Sequence, residues 1–197
     1  MYDPTEGKIL LNGVDIREYN YESYLLLFGI VFQDFKLFSF PLGQNVAASE
    51  TYDAKRAKMC LKEAGLESKI KQMTNPLETY LFKDFDENGI ELSGGEAQKI
   101  AIARAFYKDA SIIIMDEPTA ALDPIAEYEI YSKLDQIPRS KSVIYISHRL
   151  SSCHFCDNII VFHRGKLVQT GNHNKLLTDT EGKYHELWSL QAQHYIS

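Results

Sequence analysis

The stretch ELSGGEAQKIAIARAFYKDASIIIMDEPTAALD, residues 91–123, decides the fold prediction because it holds two motifs joined by one helix. In the first motif, Ser93 and Glu96 have the spacing of a capping box, in which each side chain bonds the other residue's backbone N–H at a helix start. Gly94 and Gly95 have no Cβ atoms, so backbone N–H groups of that helix N-terminus can come close to an anion. We therefore predict an anion-binding helix N-terminus here.

The second motif is an apolar segment followed by two carboxylates. Ser111–Met115 is short and rich in β-branched residues, which is typical of a central parallel strand covered on both faces. Asp116 and Glu117 follow it, at the strand end where open α/β sheets bind ligands. One carboxylate can hold a hard cation such as Mg²⁺, and the other can polarise a water molecule. Asp123 and Pro124 then fit the N-cap and first position of another helix.

In their order and spacing, these motifs resemble those of the nucleotide-binding domains of ABC transporters. Leu92–Glu96 resembles the family signature, Ile112–Glu117 the Walker B motif and Ala121–Asp123 the D-loop. The resemblance implies an α/β fold of the P-loop NTPase type, with a mainly parallel sheet, surrounding helices and a helical subdomain. It also implies ATP and Mg²⁺ as cofactors. The alternative for the same residues is an ordinary capped helix followed by a core strand.

Within this resemblance, the two motifs carry implied roles. Asp116 holds Mg²⁺ through its water shell, and Glu117 is the general base. Ser93–Gly95, with Glu96, close on ATP that a partner holds. Asp123 links the two sites across a dimer.

Two further strand ends carry polar candidates. Ile30–Phe32 predicts a strand that delivers Gln33, and Ser142–Ser147 predicts a buried parallel strand followed by His148. Taken alone, Gln33 is better interpreted as an ordinary strand-ending residue, and His148 as a structural or surface histidine. In the resemblance, Gln33 is the Q-loop glutamine, which reaches the metal and the attacking water. His148 is the H-switch, which hydrogen-bonds the γ-phosphate and helps to hold that water.

Turn residues punctuate the rest of the chain. The predicted elements are a hairpin around Asn12-Gly13, a helix capped by Asn20, a break at Gly29, a helix over residues 54–64 that Gly65 ends, a hairpin around Arg164-Gly165, and a helical tail over residues 174–193 anchored by Leu187, Trp188 and Leu190. We divide the chain into residues 1–34 (hairpin and Q-loop strand), 35–91 (helical subdomain), 92–173 (signature helix, Walker B, D-loop and H-switch) and 174–197 (tail).

An aromatic-rich segment, residues 34–45, follows Gln33. Phe35, Phe38 and Phe40 are predicted to be core residues, as most such aromatics are. In the family, this segment and the helices after it receive a coupling helix from the membrane domain. An exposed partner site is therefore the alternative.

Composition and charge set limits on the class of protein. The 197 residues suit one domain with a subdomain, and a formal net charge of −6 gives no bias toward nucleic acid. The longest apolar run, Tyr24–Phe32, is shorter than the roughly 20 residues of a membrane-spanning helix. Three cysteines indicate reduced thiols in the cytosol. Cys153, His154 and Cys156 have no second cysteine pair to complete a zinc site, so we predict structural thiols there.

No segment of the sequence matches the P-loop pattern G-x-x-x-x-G-K-[ST]. The Gly-Lys pairs Gly7-Lys8, Gly165-Lys166 and Gly182-Lys183 are followed by Ile, Leu and Tyr. By the resemblance, the chain is expected to begin just after the P-loop helix, so the fold is predicted to be N-terminally truncated. We expect weak nucleotide affinity and association through unpaired strand edges.

The expected function is ATP hydrolysis in an ABC exporter, at the cytoplasmic face of the cell membrane. The expected partners are a transmembrane domain and a second nucleotide-binding domain, in a homo- or heterodimer, with no nucleic acid. YDPTEG, LNGVDIREY and ISHRL are the exporter-like segments. One alternative is a non-enzymatic module whose signature motif completes a partner's ATP site, which the absence of a P-loop favours. The other is a non-transport ABC ATPase, which the net acidity disfavours.

Overall fold

A computed structural model describes residues 3–119, 121–134 and 141–196. The chain divides into two compact units: residues 1–123 with 137–146, and residues 124–136 with 147–197. Within the described ranges, no helix combines the length and the apolar character needed to cross a bilayer.

The first unit opens with the predicted hairpin, formed by β1 (Leu10–Leu11) and β2 (Val14–Asp15). Asn12 and Gly13 have φ angles of 52° and 83°, the left-handed values that a type I′ turn requires. Helix α1 (Tyr21–Leu26) follows, and the Asn20 side chain caps it by accepting a hydrogen bond from the Ser23 N–H. The turn chemistry read from the sequence is confirmed for both elements.

A parallel sheet forms the centre of the first unit. Its strands are β3 (Phe28–Val31), β4 (Ile112–Asp116) and β5 (Ser142–Ile146), in that order. Val31 pairs with Met115, and Asp116 pairs with Ile146. The carboxyl ends of the three strands therefore lie at one edge, as the fold prediction requires.

Gly29 was predicted to end the helical segment before the strand. It lies inside β3 instead, so that part of the prediction is wrong. A Cβ atom at Gly29 would lie 3.1 Å from the Ala105 carbonyl oxygen of helix α5 (Gly94–Lys108). The glycine is therefore explained by the close approach of α5 to the strand.

Burial of the strands also differs from the prediction that they are covered on both faces. In β4, Ile113 and Met115 are buried, whereas Ile112 is half-buried. In β5, Ile144 and Ile146 are 48% and 53% exposed. Ile144 and Ile146 share one face of β5, whereas Val143 and Tyr145 on the other face are half-buried, so β5 is covered mainly on one face.

Short helices fill the segment before α5. They are α2 (Leu42–Ala47), α3 (Ala54–Glu63), α4 (Glu67–Lys71) and a 3₁₀ turn, Pro76–Glu78. Gly65, at φ 82°, follows the end of α3 as predicted. The region is mainly helical, and its boundaries at residues 35 and 91 stay a prediction.

Of the three aromatic residues predicted to be core, Phe35 is half-buried, and the other two are exposed. Phe38 and Phe40 are 56% and 49% exposed, so their prediction as core residues is wrong. Phe85 stacks on Phe40 with ring centroids 6.4 Å apart and an 11° interplanar angle. The backbone around them is held instead by the buried Asn45 side chain, which bonds Phe38 and Phe40 main-chain atoms.

The second unit contains a hairpin and four helical segments. They are α6 (Pro124–Leu134), a 3₁₀ helix (Leu150–Phe155), β6 (Ile159–His163), β7 (Lys166–Gly171), α7 (His173–Thr178) and α8 (Lys183–Ile196). Arg164 and Gly165 form the predicted turn, with φ angles of 50° and 74°.

The tail is two helices, not the single helical segment that was predicted. The core of the second unit contains Leu150, Val161, Leu176 and Tyr184, and Leu187 and Trp188 of the tail pack against them. Leu190 is 51% exposed, so its prediction as an anchor is wrong. It lies outside the helical stripe that carries residues 184, 187 and 188.

Candidate functional site

Three of the predicted polar residues leave adjacent strands at the same edge of the sheet. Gln33 follows β3 by two positions and is exposed, whereas Asp116 is the last residue of β4 and is half-buried. Glu117 comes next and is buried, at 9% exposure. The pairing of Val31 with Met115 brings the start of the Gln33 turn to the sheet edge that carries the carboxylates.

Glu117 has a backbone conformation that the sequence does not reveal. Its φ angle is +49°, in the left-handed region that costs a non-glycine residue about 1–2 kcal/mol. The Glu117 N–H donates to the Ile146 carbonyl at 2.9 Å, and its carbonyl accepts from Gln98 Nε2 at 3.0 Å. Both backbone polar groups are therefore bonded, which holds the strained conformation in place.

The predicted capping box begins α5. The Ser93 N–H donates to Glu96 Oε2 at 3.0 Å, and the Glu96 N–H donates to Ser93 Oγ at 3.2 Å. Lys69 Nζ, from α4, lies 2.9 Å from Glu96 Oε1. Burial acts to raise the pKa of Glu96, but the bonds from Lys69 and Ser93 outweigh it and hold the pKa below its ordinary value. The carboxylate therefore stays ionised at the start of the helix, where the dipole also favours it.

The signature glycines pack against the D-loop of the same chain. A Cβ atom on Gly95 would lie 3.1 Å from Leu122 Cδ2 and 3.3 Å from the Ala121 carbonyl oxygen. A Cβ on Gly94 would lie 3.5 Å from Ala121 Cβ. Close packing is thus a second reason for glycine here, beside access of an anion to the first N–H groups of the helix.

His148 belongs to the second unit, two residues beyond the end of β5. Gln191 of α8 fixes its turn: the Gln191 amide donates to the His148 carbonyl and accepts from the Leu150 N–H at 2.9 Å. Arg149 forms an ion pair with Glu127 of α6 at 2.9 Å, and the Glu127 side chain is only 7% exposed. Asp123, the predicted link across a dimer, directly precedes α6.

The donor set at the sheet edge suits a hard cation. Across the described parts of the chain, no three His, Cys, Asp or Glu side chains gather as a metal-binding group. Mg²⁺ needs no such cage, because it usually takes one or two carboxylates and completes its shell with water and phosphate oxygens. Asp116 and the amide oxygen of Gln33 are oxygen donors of this kind.

The histidine residues near the C-terminus belong to a cluster of aromatic rings, and two half-buried cysteines lie in the same part of the chain. His154 and His173 have ring centroids 3.9 Å apart, and His173 Nδ1 lies 2.7 Å from the Tyr184 hydroxyl. Burial raises the pKa of Cys156 to about 11 and also raises that of Cys153. Both thiols are therefore protonated at neutral pH, which suits the structural role predicted for them.

Sequence reasoning missed three residues that support the candidate site and its neighbouring turns: Gln98, Lys69 and Gln191. Gln98 carried a usable signal, because it lies one turn before Ala101 and Ile102 on the buried face of α5. A polar residue on an apolar helical stripe needs a buried partner. Lys69 and Gln191 carried no such signal, since their partners lie far away in sequence.

These features define an α/β protein of the P-loop NTPase type: a parallel sheet with paired carboxylates at a strand end and a glycine-rich capped helix beside them. The model of one family, described as ABC transporter, matches residues 1–120. The chain belongs to the ABC transporter family.

Relatives and solved structures agree with this assignment. The chain is 38% identical over 192 residues to an ATP-dependent lipid A-core flippase of Paraburkholderia xenovorans (strain LB400), covering 98% of this chain and 31% of the flippase. It is 34% identical over 190 residues to ABC transporter B family member 14 of Arabidopsis thaliana, covering 96% and 15%. A bacterial Atm1-family ABC exporter with ATP bound matches with a TM-score of 0.87 at 35% identity, covering 97% of this chain and 33% of the exporter. The chain thus spans about a third of the flippase.

Proposed function

We propose that this chain is part of the ATP-hydrolysing domain of an ABC exporter. It would act at the cytoplasmic face of a membrane with a transmembrane domain and a second nucleotide-binding domain. The relatives named as flippases and exporters support transport over an action on DNA or ribosomes. The transported substrate is not part of the proposal.

The observation that carries this proposal is the joining of the two motifs in one unit. The turn that holds Glu117 is bonded to α5, whose capped N-terminus is the signature motif. A helix start that can bind phosphate and a carboxylate that can accept a proton thereby lie in one compact unit.

Each residue has a role that its chemistry allows. Asp116, through a water shell, and Gln33 would hold Mg²⁺, which would neutralise phosphate charge. Glu117 accepts the proton of the attacking water, and Gln33 orients that water. His148 donates a hydrogen bond to the γ-phosphate.

The signature side of the same chain serves a different nucleotide. The exposed N-terminus of α5, at Ser93–Gly95, binds the phosphates of ATP held by a partner domain. Glu96 keeps the capping box closed, and Asp123 connects the two nucleotide sites.

A second candidate function is the non-enzymatic module, and the absence of a P-loop motif from the sequence favours it. A mixing experiment separates the two. An extended chain carrying an upstream P-loop segment and Ser93→Arg keeps its own P-loop and Glu117 but has a disabled signature. The chain as printed is then titrated into it, with a Ser93→Arg version of the printed chain as the control.

The module predicts that the printed chain raises ATP hydrolysis and that its Ser93→Arg version does not. If the printed chain does not raise ATP hydrolysis, the module is contradicted. If the extended chain with an intact Ser93 also shows no Glu117-dependent hydrolysis, the enzymatic proposal is contradicted as well.

A further inference from the structure

Gln98 bonds both sides of the turn that carries Glu117. Its side chain is buried in the second turn of α5, with the residue only 3% exposed. Nε2 donates to the Glu117 carbonyl at 3.0 Å, and Oε1 accepts from the Ala121 N–H at 3.0 Å. One planar amide thus satisfies a carbonyl on one side of the turn and an N–H on the other.

The turn needs such support because Glu117 is left-handed at φ +49°. The bond from its N–H to Ile146 ties it to β5, and the bond from Gln98 to its carbonyl ties it to α5. Together they fix the peptide planes on both sides of the Cα atom, and therefore the direction in which the side chain leaves the backbone. Without Gln98, the carbonyl loses this donor, and one of the two bonds that hold the left-handed turn is gone.

No other uncharged side chain can replace this contact at the same length. A buried N–H and a buried carbonyl must be satisfied together, and among uncharged straight-chain residues of this length only Gln offers a donor and an acceptor on one group. Asn is one methylene shorter. Ionised Glu keeps the length and the acceptor for Ala121 but loses the donor to Glu117.

We propose that Gln98 is a positioning residue for catalysis, which sets the direction of the Glu117 carboxylate and couples it to the signature helix. The inference rests on the proposed function of Glu117 as general base. It adds that the signature helix holds the catalytic turn of its own chain, besides presenting its N-terminus to a partner's nucleotide.

The test compares Gln98→Leu, which loses both bonds, with Gln98→Glu, which loses only the bond to Glu117. Lys108→Ala is the matched control, because it removes a side-chain bond from the far end of α5 to the Leu25 carbonyl. All three are made in the extended chain that carries a P-loop segment. Far-UV circular dichroism melts establish that each variant is folded.

The first readout is steady-state ATP hydrolysis. Both Gln98 variants are expected to lower kcat by about 10- to 100-fold, the effect of a misplaced catalytic group, with KM for ATP changed less than about twofold. Lys108→Ala is expected to leave both unchanged. A KM change with intact kcat, or full activity in folded Gln98→Glu, would overturn the proposal.

The second readout separates positioning from general damage. In single turnovers of a Glu117→Gln background, Gln98→Leu is expected to cause no further loss, because the group that it positions is already absent. An equal loss in both backgrounds would show that Gln98 acts elsewhere. If Glu117→Gln alone leaves kcat unchanged, the proposed role of Glu117 fails, and the positioning role fails with it.

The third readout tests the contact itself in the chain as printed. Amide hydrogen exchange at Ala121 should accelerate in Gln98→Leu but not in Gln98→Glu, which keeps the acceptor. Unchanged exchange in folded Gln98→Leu would contradict the contact whatever the outcome for Glu117. The two failures are therefore distinguishable.

Discussion

At the scale of single residues, two motif positions also meet a structural requirement, which is small size at one position and a strained backbone at the other. Gly95 belongs to the signature motif, and Leu122 and the Ala121 carbonyl leave little room there for a Cβ atom. Glu117 is a Walker B residue, and it also has a left-handed backbone that two hydrogen bonds stabilise. Each position therefore carries a chemical and a geometric requirement.

Gly95→Ala should be less stable than Gly94→Ala, its matched control in the same first turn. Both variants gain similar helix propensity. Only the Gly95 variant places a Cβ atom 3.1 Å from Leu122 and 3.3 Å from a backbone oxygen. We expect its free energy of unfolding in urea to be lower than that of Gly94→Ala by about 1 kcal/mol. Equal stability would show that the D-loop shifts at no cost.

The sequence predicts which residues stand at helix and strand ends better than it predicts the contacts between them. Spacing and residue type pointed to Ser93, Asp116, Glu117 and Gln33, and the structure places each at the expected helix or strand end. The contact from Gln98 to Glu117 joins residues 19 positions apart. No local pattern encodes such a contact, because it depends on how α5 packs against the sheet.

At the scale of elements, α8 is held by side chains that reach neighbouring turns. A helix of 14 residues is marginal alone in water, so it depends on its tertiary contacts. Gln191 hydrogen-bonds α8 to the His148 turn, and Trp188 and Tyr184 pack α8 into the core of the second unit. The sequence predicted a helical tail but not its division, since no proline marks the break at residues 179–182.

Gln191→Leu should loosen the turn that carries His148. The Leu150 N–H loses its acceptor, and one buried or half-buried hydrogen bond contributes about 1 kcal/mol. Hydrogen exchange at the Leu150 amide should therefore accelerate by about fivefold. Glu186→Gln, an exposed change on the same helix, is the control. Exchange that is unchanged in Gln191→Leu would contradict the contact.

The packing of α7 against α8 should weaken in mild acid. Burial, with the neighbouring His154, lowers the pKa of His173 below its ordinary 6.5. The unfolded chain therefore takes up the proton first as pH falls, and the stability that neutral His173 provides is present above pH 6.5 and lost below it. The groups that face His173 are His154, Tyr184 and Trp188.

His173→Gln keeps a polar partner for Tyr184 without titrating in this range. Its Tm should fall less than that of the unmodified chain between pH 7.5 and pH 5.5. Equal falls in Tm for both proteins would refute the assignment to His173. His163→Gln, at the exposed end of β6, controls for the loss of any histidine.

At the scale of the whole molecule, the sheet of the first unit ends in an exposed apolar strand. Ile144 and Ile146 are about half exposed on β5, whose described pairing is with β4 alone. Exposed strand edges of this kind pair with other chains. The exposed strand edges expected from the sequence stay a prediction, whereas the predicted burial of β5 is wrong for Ile144 and Ile146.

The chain as printed should associate with itself as its concentration rises. Ile144→Lys places a charge on the exposed strand and should shift sedimentation velocity profiles toward monomer. Leu26→Lys, which removes a still more exposed apolar residue from α1, is the control and should not shift them. Association that is equal in both variants would contradict the role of β5.

The central claim is that Glu117 serves as the general base of an ATPase, and magnesium-dependent ATP hydrolysis tests it most directly. The assay compares the printed chain, an extended chain with an upstream P-loop segment, and the extended chain with Glu117→Gln. We predict that the printed chain is inactive, that the extended chain is active, and that Glu117→Gln lowers kcat by about 10²- to 10⁴-fold. Undiminished hydrolysis in the extended Glu117→Gln chain would contradict the claim.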